Sequence, residues 1–257
     1  MIYIIFLLFT FGILYFSFYQ WQYYMIFSPM YYREDEFDDN FEILSVKTDD
    51  GIELEGVVYE PQDFRATMLF FAGRAHDAVA TISKLATSYP NVRIITFNYR
   101  SYGRSEGYLN EQNINADALH VAELVEKNYG SFYLLGYSLG SSVAAYVASV
   151  STCKALFLVG AFDSVQELAK VKYKFLKNID LSNIFRYKFN TKKYVQTIDE
   201  DTYLFVSKSD ETTYIQNARN LKQSIKNLVF YEELDSLSHK EILWDEKVIN
   251  KINEVIK

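Results

Sequence analysis

Ser138 stands in Gly136-Tyr137-Ser138-Leu139-Gly140, between the apolar run Phe132–Leu135 and the small-residue stretch Ser141–Ala148. The pattern predicts a strand, a tight turn and a helix, with the serine at the apex of the turn and its hydroxyl aimed out of the sheet. The flanking glycines are required because side chains there would collide. A serine hydroxyl attacks an acyl carbon only when an adjacent base removes its proton and a carboxylate orients that base. Ser138 is therefore the candidate nucleophile, and its base and acid must come from elsewhere in the chain.

The chain has three histidines. His239, in Leu237-Ser238-His239-Lys240, lies in a loop between the last expected strand and the terminal helix, where a base can reach the site. His120 falls inside an expected helix, the ordinary place for a packed or solvated histidine, and His76 follows the third strand as a pocket residue. The acid is expected just after the preceding strand, and Ser207-Lys208-Ser209-Asp210 directly follows Thr202–Val206. Asp210 is the candidate, with Glu211 beside it as the alternative. The resulting order Ser138, Asp210, His239 is nucleophile, acid, histidine, which differs from other serine-hydrolase arrangements. Two backbone amides suit the developing oxyanion: Leu139, immediately after the nucleophile, and Arg74, in the turn Ala72-Gly73-Arg74-Ala75.

These residues need a scaffold. Phe41–Val46 and Ile52–Tyr59 read as strands joined by the turn Asp49-Asp50-Gly51, an antiparallel start. After Pro61 the chain alternates: strand Thr67–Phe71, helix Ala78–Ser88, strand Val92–Phe97, helix Ile114–Lys127, strand Phe132–Leu135, the helix after Ser138, strand Ala155–Val159. Alternation of this kind predicts an α/β fold, a mostly parallel sheet with helices on both faces. Residues 163–198 lack strand character and read as a small lid-like insert. The pattern then resumes with strand Thr202–Val206, helix Tyr214–Ile225, strand Leu228–Tyr231 and a helix from Lys240 onward.

The N-terminus carries no charge from Met1 to Tyr32, and Ile2–Phe18 is apolar apart from Thr10 and Ser17. At 1.5 Å per residue that run is about 26 Å of helix, close to a bilayer's hydrocarbon thickness. Tyr19, Trp21, Tyr23 and Tyr24 follow, as for aromatics seated at a membrane interface. A cleaved signal peptide would carry a basic first segment, a shorter apolar core and a small-residue cleavage site, and none is present. The expected organisation is a single-pass membrane anchor with its interfacial segment over 1–32, an acidic linker over 33–40 and a catalytic domain over 41–257. On that division the anchor supplies none of the chemistry, so its removal is expected to leave an active enzyme. Arg33 stands alone among acidic neighbours, so flanking charge says little about orientation; an uncleaved N-terminal anchor favours a catalytic domain outside the cytoplasm.

A net charge of −7 argues against a nucleic-acid partner, which needs a concentrated basic surface. The single cysteine, Cys153, forms no internal disulfide and reads as a packing residue. Lys170, Lys172, Lys174 and Lys177 form a local basic run inside the insert. It reads as a solvated helix face, with anionic lipid headgroups as the functional alternative. No metal-ligand spacing, phosphate loop or dinucleotide fingerprint is visible, and no cofactor is implied.

With the turn at Ser138, the order of candidates and the 72–75 turn in place, residues 41–257 resemble the α/β-hydrolase superfamily. The nearer similarity is to its membrane-anchored branch related to serine aminopeptidase-like hydrolases and acyl-protein thioesterases. Asn98-Tyr99-Arg100-Ser101-Tyr102-Gly103-Arg104-Ser105-Glu106-Gly107 is similar to that branch's D-Y-R-G-Y-G-x-S-x-G segment. The departures are Ala72-Gly73-Arg74 where the branch has His-Gly-Asn, and Asn98 and Ser101 where it has Asp and Gly. Near the acid, Ser207 replaces a glycine, and no proline follows in Glu211-Thr212-Thr213. The resemblance implies a serine hydrolase acting on an acyl ester or thioester at a membrane. A peptidase with the same machinery and an inactive hydrolase fold kept for protein interaction are the alternatives.

Overall fold

In the computed structural model, which describes residues 2–31, 37, 39–181 and 183–256, eight strands form one sheet. They are β1 (Phe41–Lys47), β2 (Glu53–Tyr59), β3 (Ala66–Phe71), β4 (Val92–Phe97), β5 (Phe132–Tyr137), β6 (Leu156–Val159), β7 (Thr202–Ser207) and β8 (Leu228–Leu234). Their spatial order is β1-β2-β4-β3-β5-β6-β7-β8. The β1/β2 and β2/β4 pairs are antiparallel and the remainder are parallel. β3, β5 and β6 are buried along their whole length, which explains why they read as unbroken apolar runs rather than alternating ones.

Successive residues of these strands serve two separate cores. One face, with Leu69, Ile95, Leu134 and Leu158, is covered by α3 (Glu111–Tyr129), α4 (Leu139–Val150) and α7 (Ile215–Lys222). The other, with Phe70, Ile94, Leu135 and Phe157, is covered by α2 (Ala78–Ser88) and α8 (Glu246–Val255). The expected terminal helix from Lys240 is broken into a 3₁₀ turn, Ile242–Trp244, followed by α8. Asp245 resets the chain: its backbone is extended and its carboxylate accepts from Lys247 N–H, capping α8.

The insert contains α5 (Val165–Lys172), a 3₁₀ turn at Lys174–Leu176 and the short α6 (Thr191–Tyr194). Ser164 caps α5 by accepting from Glu167 N–H. Arg100, inside the 98–107 segment, is buried and paired bidentately with Asp117 of α3 and with Asp50 of the β1–β2 turn, at 2.7–2.8 Å. This ties the antiparallel edge to the helical layer.

The N-terminal helix α1 runs without a break over Ile2–Ile26 and is long and apolar enough to cross a membrane. Residues 2–18 are exposed, whereas Gln22, Ile26 and Phe27 are buried in the domain. The helix continues through the interfacial aromatics because nothing in that stretch is a breaker, and its last turn is claimed by tertiary packing. Of the acidic segment 33–40, residues 33–36 and 38 lie outside the described residues, as does Tyr32.

Candidate active site

All the sequence-selected site residues follow the C-terminal ends of parallel strands, where open α/β sheets place their ligand crevice. Arg74 follows β3, Ser138 follows β5, Asp210 follows β7 and His239 follows β8. Ser138 has φ 55° and ψ −119°, a left-handed conformation that a non-glycine residue adopts only when its surroundings impose it. Two close approaches impose it here. A Cβ on Gly136 would lie 2.4 Å from the Gly140 carbonyl oxygen, and one on Gly140 would lie 2.0 Å from the Phe71 carbonyl oxygen. The tight turn is thus possible only with glycine at both flanks.

The structure brings Ser138, His239 and Asp210 into line. His239 Nε2 is 2.8 Å from Ser138 Oγ, and His239 Nδ1 is 2.7 Å from Asp210 Oδ2. Asp210 also accepts from the N–H groups of Thr212 and Thr213 and from the Thr213 hydroxyl. Burial alone would raise its carboxyl, but the hydrogen bond and charge of His239, with the Thr213 contacts, outweigh it and hold Asp210 below the usual carboxylate range. Glu211 has a different place: its carboxylate accepts from the His239 backbone N–H at 3.1 Å. His120 lies on α3, 3.6 Å from Asp49, and takes no part. His76 packs edge-on against Tyr137; burial, then the charges of His239 and Lys240, keep its pKa low.

Tyr137 was not singled out by sequence, yet its ring stacks on that of His239 and its hydroxyl donates to the His239 carbonyl at 2.9 Å. Thr213 was also missed. Its three-residue spacing from Asp210 was the only available signal. The departures from the family pattern find local reasons. Ser207, in place of a glycine, donates to the Leu237 carbonyl at 2.6 Å and joins the acid loop to the histidine loop. Thr213, where proline is missing, holds Asp210 through two bonds. Ser101 accepts φ 65° and donates its hydroxyl to the Gly107 carbonyl.

The 72–74 turn lacks the usual histidine but is braced from outside. The Tyr99 hydroxyl donates to the Ala72 carbonyl at 2.9 Å, and the Tyr102 hydroxyl donates to the Arg74 carbonyl at 2.5 Å. Leu139 N–H opens α4 and so has no acceptor within the helix. A cavity of about 180 Å³ lies over Ser138. Its apolar wall is Leu139, Phe162, Val165, Leu168, Ala169 and, from the end of α1, Met25 and Ile26; Lys172 and Glu211 stand among its polar residues. The end of the N-terminal helix thus forms part of the cavity wall, although it carries none of the reacting groups.

Burial, followed by the charge of Glu200, pushes the Cys153 thiol up to about 12, as for a packed rather than a reactive cysteine. Among the described residues no group of three or more His, Cys, Asp or Glu side chains is placed to hold a metal ion.

Residues 67–182 match the family described as alpha/beta hydrolase fold. An uncharacterized protein of Acanthamoeba polyphaga mimivirus is 28% identical over 74% of this chain and 71% of its own length. The alpha/beta hydrolase domain-containing protein WAV2 of Arabidopsis thaliana is 28% identical over 53% of this chain and 48% of its own. The lysophosphatidylserine lipase ABHD12 of Danio rerio is 30% identical, but over only 34% of this chain and 26% of its own. Among solved structures, the Pyrococcus furiosus esterase Pf2001 superposes with a TM-score of 0.67 at 14% identity, covering 90% of this chain and 96% of the esterase. With the strand order, the sharp turn at Ser138 and these likenesses together, the chain has the α/β-hydrolase fold, and the likenesses point to the α/β-hydrolase superfamily.

Proposed function

We propose that this protein is a membrane-anchored serine hydrolase that cleaves the acyl ester or thioester bond of an amphiphile. The observation that carries the reading is the continuous hydrogen-bonded line from Ser138 Oγ through His239 to Asp210. As Ser138 Oγ attacks the acyl carbon, His239 Nε2 takes its proton, and Asp210 stabilises the resulting imidazolium through Nδ1–H. The carbonyl oxygen becomes an oxyanion facing the N–H groups of Leu139 and Arg74, each such donor contributing about 3 kcal/mol in comparable sites. When the tetrahedral species collapses, the bond to the leaving alcohol or thiol breaks and the leaving group takes the proton from His239. Water then attacks the acyl-serine, giving a proton to His239, and the fatty acid leaves as Ser138 regains its hydrogen.

The cavity favours an acyl chain on one side and a polar head on the other. Met25, Ile26, Phe162, Val165 and Leu168 offer the chain an apolar wall, and Lys172 offers an anionic head a cation. The Danio rerio relative is named as a lysophosphatidylserine lipase, which makes an anionic lysophospholipid the first substrate to try. The membrane reading rests on the exposed, apolar residues 2–18 of α1. It is supported by the insert beside the helix: Tyr173 packs on Trp21, Arg186 lies over Tyr19, and the exposed Phe175 is neighboured in sequence by Lys172, Lys174 and Lys177. Basic side chains next to an exposed aromatic at the level of the interfacial rings suit anionic headgroups.

The test is turnover by the detergent-solubilised full-length protein. Substrates are p-nitrophenyl esters of graded chain length, acyl thioesters and lysophosphatidylserine. The expected result is fatty-acid release from at least one of these that Ser138→Ala abolishes. Turnover retained by Ser138→Ala, or none by a folded wild type, would overturn the reading.

A further inference from the structure

We propose that the last turn of α1 is a working part of the active site: it positions the oxyanion loop through Arg74 and sets acyl-chain preference through Met25. The assignment rests on the hydrolase reading. The Arg74 guanidinium donates to the Met25 carbonyl at 2.6 Å. This carbonyl is one of the four that a helix C-terminus leaves without an internal partner, and a cation is favoured there. From the other side, the Ser28 N–H donates both to the Arg74 carbonyl at 3.3 Å and to the Tyr102 hydroxyl at 3.1 Å. Arg74 is therefore held at its side chain by α1 and at its carbonyl by Ser28, two residues beyond the helix, while its own N–H is the proposed oxyanion donor.

The helix end is itself fixed. The buried Gln22 amide donates to the Ile184 carbonyl at 3.1 Å and accepts from Arg186 N–H at 2.8 Å. Phe27 is fully buried and packs edge-on against Tyr187 and Phe189. Gly103 N–H donates to the Met30 carbonyl at 2.9 Å. The helix end thus joins the insert, the 98–107 segment and the 72–74 turn. The usual loop histidine being absent, these external ties supply the loop's rigidity. An oxyanion donor works only if it is held in place before charge develops, and a displacement near 1 Å costs on the order of a hundredfold in rate. Met25 and Ile26 stand in the same cavity as Ser138, so their size limits how far an acyl chain extends.

The experiment measures kcat and KM of the full-length protein in detergent on esters of graded acyl length, for wild type, Arg74→Met, Arg74→Lys, Met25→Trp and Tyr24→Ser. Arg74 is exposed, so its truncation leaves the core intact. Arg74→Met should lower kcat roughly tenfold or more with KM little changed, and Arg74→Lys, which keeps a cationic donor, should recover most of it. Met25→Trp should raise KM for long esters over short ones by roughly tenfold. Tyr24→Ser, on the exposed side of the same turn, should match wild type. An active wild type together with full kcat in Arg74→Met, no recovery in Arg74→Lys, or an unaltered chain-length profile in Met25→Trp overturns this assignment alone. A folded wild type that turns over none of the esters overturns the hydrolase reading and this assignment with it.

Discussion

Asp210 and Glu211 are adjacent carboxylates doing different things. Asp210 meets the His239 ring and is held by Thr212 and Thr213, whereas Glu211 accepts only the His239 backbone N–H at this loop. Replacing Asp210 by Asn removes the acceptor that fixes the histidine tautomer and the charge that stabilises the imidazolium, so kcat should fall about ten-thousandfold. Glu211→Gln keeps a carbonyl acceptor for the His239 N–H and should stay within about threefold of wild type. Single-turnover kinetics on one ester compares them, and the reverse ranking would reassign the acid. Ser138, Asp210 and His239 were legible because each follows a strand in a fixed order. Tyr137 was not, because its stacking depends on ring orientation, and Thr213 offered only its three-residue spacing from Asp210, since its contacts depend on how the loop closes.

At the scale of elements, the 98–107 segment links the strands to the site. Asn98 is buried and accepts from Ala78 N–H at 2.6 Å while donating to Glu55 at 3.1 Å and Asp77 at 2.8 Å. The family's Asp would put a third carboxylate against two others here. Asn98→Asp should cost about 3 kcal/mol at pH 7 by replacing an N–H donor with a repelling charge. The introduced carboxyl would have a raised pKa in the folded state, so the fold would bind a proton that the unfolded chain does not, and stability should return as pH falls from 7 toward 5. Urea unfolding of both proteins at the two pH values checks this; an equal deficit at both would contradict it. The strand and helix order was readable from apolar runs and turn residues. The break before α8 was not, because the Asp245 cap competes with a helical pattern that continues on both sides of it.

For the whole molecule, the apolar N-terminal stretch is legible in composition, whereas the packing of its last turn onto the domain is not. An uncharged apolar stretch announces a membrane helix, yet the same aromatics that suit an interface also suit a core, and Phe27 is wholly buried. Deleting residues 2–17 removes only exposed positions and should leave turnover of soluble esters near wild type. Deleting residues 2–31 also strips Ile26 and Phe27 from the core, costing at least about 3 kcal/mol, and should abolish activity. Thermal melts and ester assays of both truncations check this; an active, stable product of the longer deletion would show that the last turn of α1 is dispensable. The full-length protein should remain with membranes after a carbonate wash, and its release would count against a membrane-spanning α1.

If Ser138 is a nucleophile activated by His239, an electrophile that reacts with activated serines should capture it covalently. Full-length protein is treated with an alkyl fluorophosphonate, digested and sequenced by mass spectrometry. One adduct is expected on the Ser138 hydroxyl in wild type, none in Ser138→Ala, and a large fall in labelling rate in His239→Ala, with His120→Ala labelled at the wild-type rate. A folded wild type that takes no label, or an adduct that persists in Ser138→Ala, would contradict it.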